Sequence, residues 1–353
     1  MVHTSTRTKP AATTVRHRRR FPVRPGQVAV WQLAVVATVL TDPTRWQGMV
    51  VGGAGLVAVG LTALPWRGRW LYQWAGTAIA FRARRTPPAP AGDPLDAVLP
   101  GLRVHTVADR AGNRTGVAGD GRWWSAVLRV GHGTDPLALL DPLRKTYDRA
   151  DLPPAAVQLV TWTVPVPDSD PVRTTWLAVR FSPTACPAAV EARGGGVQGA
   201  LSATANCALG LARDLAEAGI DATVLDAPDL RDDLTVALGA TPDTPARVVE
   251  RWRHQEIGTG RQSTYRPSTR VSPRELLTAA TPGTAAFTTT SLTLTRPDTA
   301  TTPDLRLLLR IATPPAQIGA TPDTPARVVH LPLYRLDGTH APATTTTLPL
   351  ALP

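Results

Sequence analysis

The sequence predicts a membrane-anchored α/β protein: an N-terminal two-helix transmembrane hairpin followed by a mixed α/β cytoplasmic domain. Three observations carry that prediction. Positive charge is gathered at one end: residues 1–92 hold 13 Lys or Arg against Asp42 alone, which leaves 25 basic and 26 acidic residues of the chain's 38 and 27 for 93–353. The formal net charge of +11 therefore describes the N-terminal segment, and the remainder is close to neutral. The same segment holds both long apolar runs and five of the ten tryptophans. Beyond it, short β-branched runs alternate with segments of helical periodicity, the pattern of a mixed α/β domain.

The organisation reads as a basic cytoplasmic tail (1–27), a hairpin (28–66), a juxtamembrane Arg/Trp segment with a Pro-rich linker (67–92), and the cytoplasmic domain (93–353). The first apolar run, 28–40, extends to 25–41 if the helix starts at Pro25; the second, 48–66, has no charged residue. About 20 residues cross a hydrocarbon core of roughly 30 Å, so the second run nearly suffices and the first is short. Asp42-Pro43 between them has turn chemistry. Seven Lys or Arg precede the first run and five follow the second, whereas Arg45 in the loop is offset by Asp42. The positive-inside rule then places both termini in the cytoplasm, in the inner (cytoplasmic) membrane. Arg18-Arg19-Arg20-Phe21 resembles a twin-arginine export start, but the second apolar run and its basic flank argue against a cleaved signal.

Trp31, Trp46 and Trp66 fall at the expected bilayer interfaces, where aromatic anchors gather. Small residues at Gly48, Gly52, Ala54, Gly55 and Gly60 allow close helix contact. Trp66, Trp70, Trp74 and Ala78 recur every fourth residue with Phe81 one turn on, so 66–82 is expected as a helix along the headgroups or packed on the domain. A near-neutral domain excludes nucleic acid as the natural partner of this basic end.

In the domain, strands are expected at 102–107, 123–130, 157–166, 174–181, 248–253, 287–295 and 305–311, with a terminal pair at 328–334 and 344–350. Helices are expected at 136–149, with Asp135 as N-cap, at 195–218 and at 228–238. The eleven residues GATPDTPARVV occur at 239–249 and again at 319–329, with different flanks. That is a local duplication, not the periodic self-similarity of a solenoid.

Chemistry is sparse. Neither of the two lysines, Lys9 and Lys145, follows a glycine, which excludes a P-loop. Zinc-protease, nucleophile-elbow and paired Cys-x-x-Cys motifs are missing, and Cys186 and Cys207 have no metal-ligand spacing. No cofactor or metal site is expected. Arg193-Gly194-Gly195-Gly196 before the best helix could present backbone N–H groups to an anion, although a flexible helix entry without a ligand is the favoured reading. Asp168-Ser169-Asp170 could hold a divalent ion in a membrane-tethered glycosyltransferase-like enzyme; Asp-rich loops beside prolines are also ordinary turns. The basic-aromatic segment Arg251-Trp252-Arg253, leading to Tyr265, is a candidate partner contact, because Arg and Trp are favoured anchors at interfaces.

The basic tail, the short hairpin, and Arg67-Gly68-Arg69-Trp70-Leu71-Tyr72-Gln73-Trp74 together resemble the E-type membrane component, EccE, of actinobacterial type VII (ESX) secretion systems. Arg251-Trp252-Arg253-His254-Gln255, the strand at 288–296 (TTTSLTLTR) and Tyr334-Arg335-Leu336-Asp337-Gly338-Thr339-His340 fit the same picture, whereas the duplicated segment departs from it. The resemblance implies a non-enzymatic subunit that anchors and braces a complex exporting small helical proteins. Its implied partners are a P-loop ATPase component, a multi-span channel component, a single-span component and the lipid bilayer. No catalytic residue carries over.

Overall fold

A computed structural model describes residues 25–41, 46–66, 69–84, 92–109, 111–149, 151–241, 247–279, 281, 283–296, 303–314 and 330–353. They form two units, Met1–Gly76 and Thr77–Pro353, divided inside a helix.

The first unit contains α1 (Pro25–Leu40), α2 (Trp46–Ala63), the two-residue strands β1 (Pro65–Trp66) and β2 (Arg69–Trp70), and the start of α3 (Leu71–Ala83). α1 begins at a proline, whose fixed φ suits a first helical turn. α1 and α2 run antiparallel in contact. Gln27 Nε2 donates to the Thr62 carbonyl at 2.8 Å, Trp31 Nε1 donates to Thr62 Oγ1 at 2.8 Å, and Gly55 lies against Ala34 and Thr38. Of the small residues in this run, Gly55 makes the close approach; Gly52, Gly53 and Gly60 face open space. Leu33, Val36 and Val39 of α1 and Met49, Val50 and Leu56 of α2 are exposed. α2 alone among the described helices is long and apolar enough to cross a bilayer; α1 is a shorter apolar helix.

The continuous helix expected over 66–82 is not formed. Pro65 and Trp66 pair antiparallel with Trp70 and Arg69, and α3 starts only at Leu71. The fourfold tryptophan spacing is thus split: Trp66 and Trp70 lie in a strand pair, and Trp74, Ala78 and Phe81 on the helix.

The second unit is one antiparallel sheet with helices on both faces. Its strands are β3 (Arg103–Ala108), β4 (Arg114–Gly119), β5 (Trp124–Val130), β6 (Ala156–Val164), β7 (Val172–Phe181), β8 (Ala222–Val224), β9 (Val248–Glu250), β10 (Gln255–Ile257), β11 (Gly260–Pro267), β12 (Phe287–Thr295), β13 (Asp304–Thr313) and β14 (Leu333–Arg335). The order across the sheet is β3-β4-β5-β7-β6-β12-β13-β11-β10-β9, with β8 also on β5 and β14 also on β11. Because side chains alternate between faces, register decides what each face sees. Leu128, Leu177, Leu159, Leu292 and Leu307 stand opposite one another across five central strands, a leucine row on one face.

On that face lie α5 (Leu140–Tyr147), α6 (Pro187–Glu191) and α7 (Gly196–Glu217), which buries Leu201, Ala208, Leu211 and Leu215. The opposite face carries α4 (Pro94–Val98), α8 (Ala227–Leu238) and the segment 348–352, around Val127, Val160, Trp176 and Ala178. α9 (Pro273–Leu277) and α10 (His340–Thr346) complete the fold. Helix starts follow one grammar: the side chains of Asp93, Asp226 and Ser272 accept from a backbone N–H of the first turn, each with proline at N1 or N2. Asp135 caps in the same way, but a 3-10 turn, Pro136–Leu139, opens the segment expected as one helix.

The strand expected at 344–350 is instead the end of α10 and a buried turn. Threonine favours strands, but the hydroxyls of Thr345, Thr346 and Thr347 each donate to a carbonyl three residues back, at 2.8, 2.9 and 2.8 Å, and hold the helical turn. Of the strand expected at 328–334, β14 takes 333–335. Gly239 of the duplicated segment ends α8 in the left-handed region (φ 77°), and Val248–Glu250 is β9; residues 242–246 and the second copy lie outside the described residues.

Candidate functional site

Two of the segments behind the family resemblance meet at one edge of the sheet. Tyr265 pairs with Leu309 on one side of β11 and with Arg335 on the other, so β14 runs beside β11 on the side that β10 occupies. This sets residues 334–340 next to the β9–β10 turn, 251–254. Backbone bonds fix the junction: Gly338 N donates to the Trp252 carbonyl at 2.7 Å, and Leu336 N to that of Thr264 at 3.0 Å.

Trp252 is the centre of it. Its indole covers Gly338, where a Cβ would come within 2.5 Å of the ring and where φ is +72°, so only glycine fits. Phe81, in the part of α3 that belongs to this unit, meets the same indole edge-on at 5.3 Å. Arg84 Nη2 donates to the Gly338 carbonyl at 2.7 Å, and its Nε lies 3.6 Å from Glu250 Oε2. Glu250 Oε1 accepts from Ala341 N at 3.0 Å, so a carboxylate sits at the N-terminus of α10, where the helix dipole favours it.

Charge at the junction is mostly internal. Arg335 Nε and Asp337 Oδ1 pair at 2.5 Å with both side chains nearly buried. His340 is fully buried and its Nδ1 accepts from Thr264 N at 3.2 Å, which assigns the proton to Nε2. Burial, with Arg335 and His254 adding, pushes its pKa down to about 3. His254 is also shifted down by burial, against the opposing pull of Glu256 at 3.2 Å. Buried and neutral, His340 has no access to a substrate proton, so it is a structural group.

Of the predicted contact residues, Arg251 and Arg253 are exposed and flank the half-buried Trp252, while Arg251 lies 3.4 Å from Glu256. Tyr265 is different: it is 3% exposed and packs with Leu309 and Ile311, so it is a core residue. Inward-pointing alternation along β11 turns it to the interior. Among the anchor tryptophans, Trp46 is exposed at the start of α2, Trp31 bonds Thr62, and Trp70 and Trp74 are half-buried. The backbone of Trp66 is in β1.

The two weaker sequence signals resolve into turns. Asp168, Ser169 and Asp170 form the exposed tip of the β6–β7 hairpin, with Asp168 at φ 56°. Among the described residues no cluster of three or more His, Cys, Asp or Glu is placed to hold a metal. Before α7, Gly194, Gly195 and Gly196 all have positive φ, and Glu191 Oε2 lies 3.2 Å from the position a Gly195 Cβ would take. The protein's own carboxylate therefore stands beside that helix start. Sequence reasoning missed Gly338 and Phe81 as partners of Trp252, and Arg84 as the partner of Gly338 and Glu250, because these contacts join residues far apart in sequence and need the fold to be seen.

Residues 171–266, from the start of β7 to the end of β11, match the family model described as "Putative type VII ESX secretion system translocon, EccE". The match covers about a quarter of the chain, includes Arg251-Trp252-Arg253, and supports assignment to the EccE family. No curated protein matches the sequence.

Proposed function

We propose that this chain is a non-enzymatic structural subunit of a type VII secretion translocon, one that anchors and braces the membrane complex exporting small helical proteins. The match of residues 171–266 to the translocon family carries this reading. α1 and α2 would form a transmembrane hairpin with both termini in the cytoplasm, and Trp31, Trp46, Trp66, Trp70 and Trp74 would lie at or near the headgroups. The charge asymmetry of residues 1–92 and the exposed apolar side chains of α1 and α2 support that topology. Arg251 and Arg253, braced around Trp252, would meet an acidic surface of a neighbouring subunit. The partners would be the P-loop ATPase, the multi-span channel and the single-span component, with energy supplied by the ATPase.

Purification in mild detergent followed by mass spectrometry tests the assembly role: the ATPase and channel components should copurify, and a chain recovered alone would refute it. Topology is best read at the exposed tip of the β6–β7 hairpin. A Ser169→Cys variant, with Cys186 replaced by Ser, should react with an impermeant maleimide only after the membrane is opened; labelling of intact cells would reverse the orientation.

A further inference from the structure

Away from the junction, a cavity of about 300 Å³ opens between the end of α5, the loop after it, and α7. Its lining includes Arg149, Arg193, Arg213, Asn206 and Thr146 against one carboxylate, Asp151, with Cys207 also in the wall. No aromatic side chain lines it. We propose that this cavity binds a phosphate group, and that guanidinium forks recognise it.

The first argument is that Arg149 is held in place at a cost. Its Nη2 donates to both oxygens of Asp214 at 3.0 and 2.9 Å and to the Gly210 carbonyl at 3.3 Å. The Asp214 side chain is 1% exposed. The guanidinium lies flat on α7 because residue 210 has no Cβ; one there would overlap Nη1. Glycine inside a 22-residue helix is unfavourable by about 1 kcal/mol relative to alanine, so the helix gives up stability where this cation rests. A pre-positioned arginine is the arrangement that recognises phosphate with little further ordering.

The second argument is an incomplete donor set. Arg193 Nη1 donates to the Ala189 carbonyl at 3.0 Å, but its Nε is buried with no hydrogen-bond partner. No carboxylate of the described residues lies within 4.0 Å of this guanidinium. Arg149 is paired with Asp214 at 2.9 Å, and Arg213 lies 4.0 Å from Asp214 and 3.7 Å from Glu217, so Arg193 is the lining arginine without a carboxylate, and an oxyanion in the cavity would balance it. Burial pushes the Cys207 thiol up to about 12, so that wall is uncharged and does not repel an anion. With no ring to stack on, the site suits a phosphate head without a nucleobase.

The phosphate could come from a soluble ester or from a lipid headgroup, and one set of titrations on the full detergent-solubilised chain separates these sources. Inorganic phosphate and glycerol 3-phosphate, at up to about 10 mM, should raise the melting temperature above a chloride control of equal ionic strength. Arg193→Gln should weaken that binding by about tenfold or more. Phosphatidic acid nanodiscs that bind in an Arg193-dependent manner, with no response to the soluble phosphates, would support the lipid source. The proposal is overturned if no phosphate compound acts beyond chloride, if succinate acts equally well, or if Arg193→Gln binds like the wild type. Arg213→Gln, on an exposed side chain, gives a second variant should Arg193→Gln fold poorly. Copurification with secretion subunits is unaffected by any of these outcomes, so this site stands or falls separately from the translocon role.

Discussion

On one face of the sheet a helix of 22 residues, α7, lies over the leucine row with the shorter α5 and α6 beside it; on the other, α8 with 12 residues, α4 with five and residues 348–352 share the same task. The α7 face is closed mainly by apolar contact, with the buried Asp214, paired to Arg149, as its polar exception. The α8 face is threaded with buried polar groups. Arg129 bonds Asp233 through two nitrogens at 2.8 and 2.6 Å, and Trp176 Nε1 donates to the same carboxylate at 2.8 Å. Arg310, fully buried, donates to the Ala237 and Leu238 carbonyls at the end of α8, to Gln262 Oε1 at 2.8 Å and to Thr289 Oγ1 at 3.2 Å. Gln158 donates to Ser291 Oγ and the Thr346 carbonyl, both at 2.8 Å, and accepts from Ala351 N at 2.7 Å. Ser125 donates to the Leu350 carbonyl at 2.6 Å.

The difference has a physical origin. Every helix end or non-helical segment carries backbone groups with no partner of their own. A long helix spreads two ends over a large buried area, whereas short pieces bring many ends into the core. Those ends must be met by side chains from the sheet. Arg310 meets the carbonyl end of α8, where a cation is also favoured by the dipole, although burial still drags its pKa down to about 9.

This contrast can be broken in four ways, all read by denaturant unfolding of the solubilised chain followed by tryptophan fluorescence. Asp233→Ala should cost most, about 4 kcal/mol, because it removes both charge-assisted bonds to Arg129 and leaves the N–H of the fully buried Trp176 without its acceptor. Leu211→Ala on the α7 face, a fully buried apolar truncation, should cost about 3 kcal/mol. A much smaller loss for Asp233→Ala than for Leu211→Ala would mean the polar brackets add little. Acidification should come third. The folded pKa of His340, about 3, lies below its ordinary value of 6.5, so the unfolded chain binds the proton first. Its contribution is complete above about pH 6.5 and lost as pH falls toward 3, with about 2 kcal/mol gone by pH 5. His340→Asn, which keeps an acceptor for Thr264 N, should flatten that slope; an unchanged slope would shift the effect to other groups. The smallest change, below about 0.5 kcal/mol, is expected for Lys145→Ala, whose pairs with Asp214 and Glu217 lie on an exposed side chain.

The sequence revealed the α7 face better than the α8 face for the same reason. Alternation in TTTSLTLTR and the periodicity of 196–217 announce a leucine row and its covering helix, since both patterns are local. The α8 face depends on pairs such as Arg129 with Asp233 and Ser125 with Leu350, which no local pattern announces. Short strands β8 and β10 and the one-turn helices α4, α6 and α9 passed unread because three to five residues hold too little periodicity. At the junction, Trp252 was legible as an anchor type. That it is occupied by Gly338 and Phe81, leaving Arg251 and Arg253 as its exposed flank, was not.

The buried segment 348–352 also sets a timetable for synthesis. Leu348, Leu350 and Ala351 have no exposure, so the α8 face cannot close until they have been made. α2 ends at Ala63, and Leu352 follows it by about 290 residues; at 5–20 residues per second that is roughly 15–60 s. Val160, Trp176 and Ala178, once made, wait through the later part of that interval for the last of their covering residues. A nascent chain stalled before residue 348 should hold chaperones on its open face.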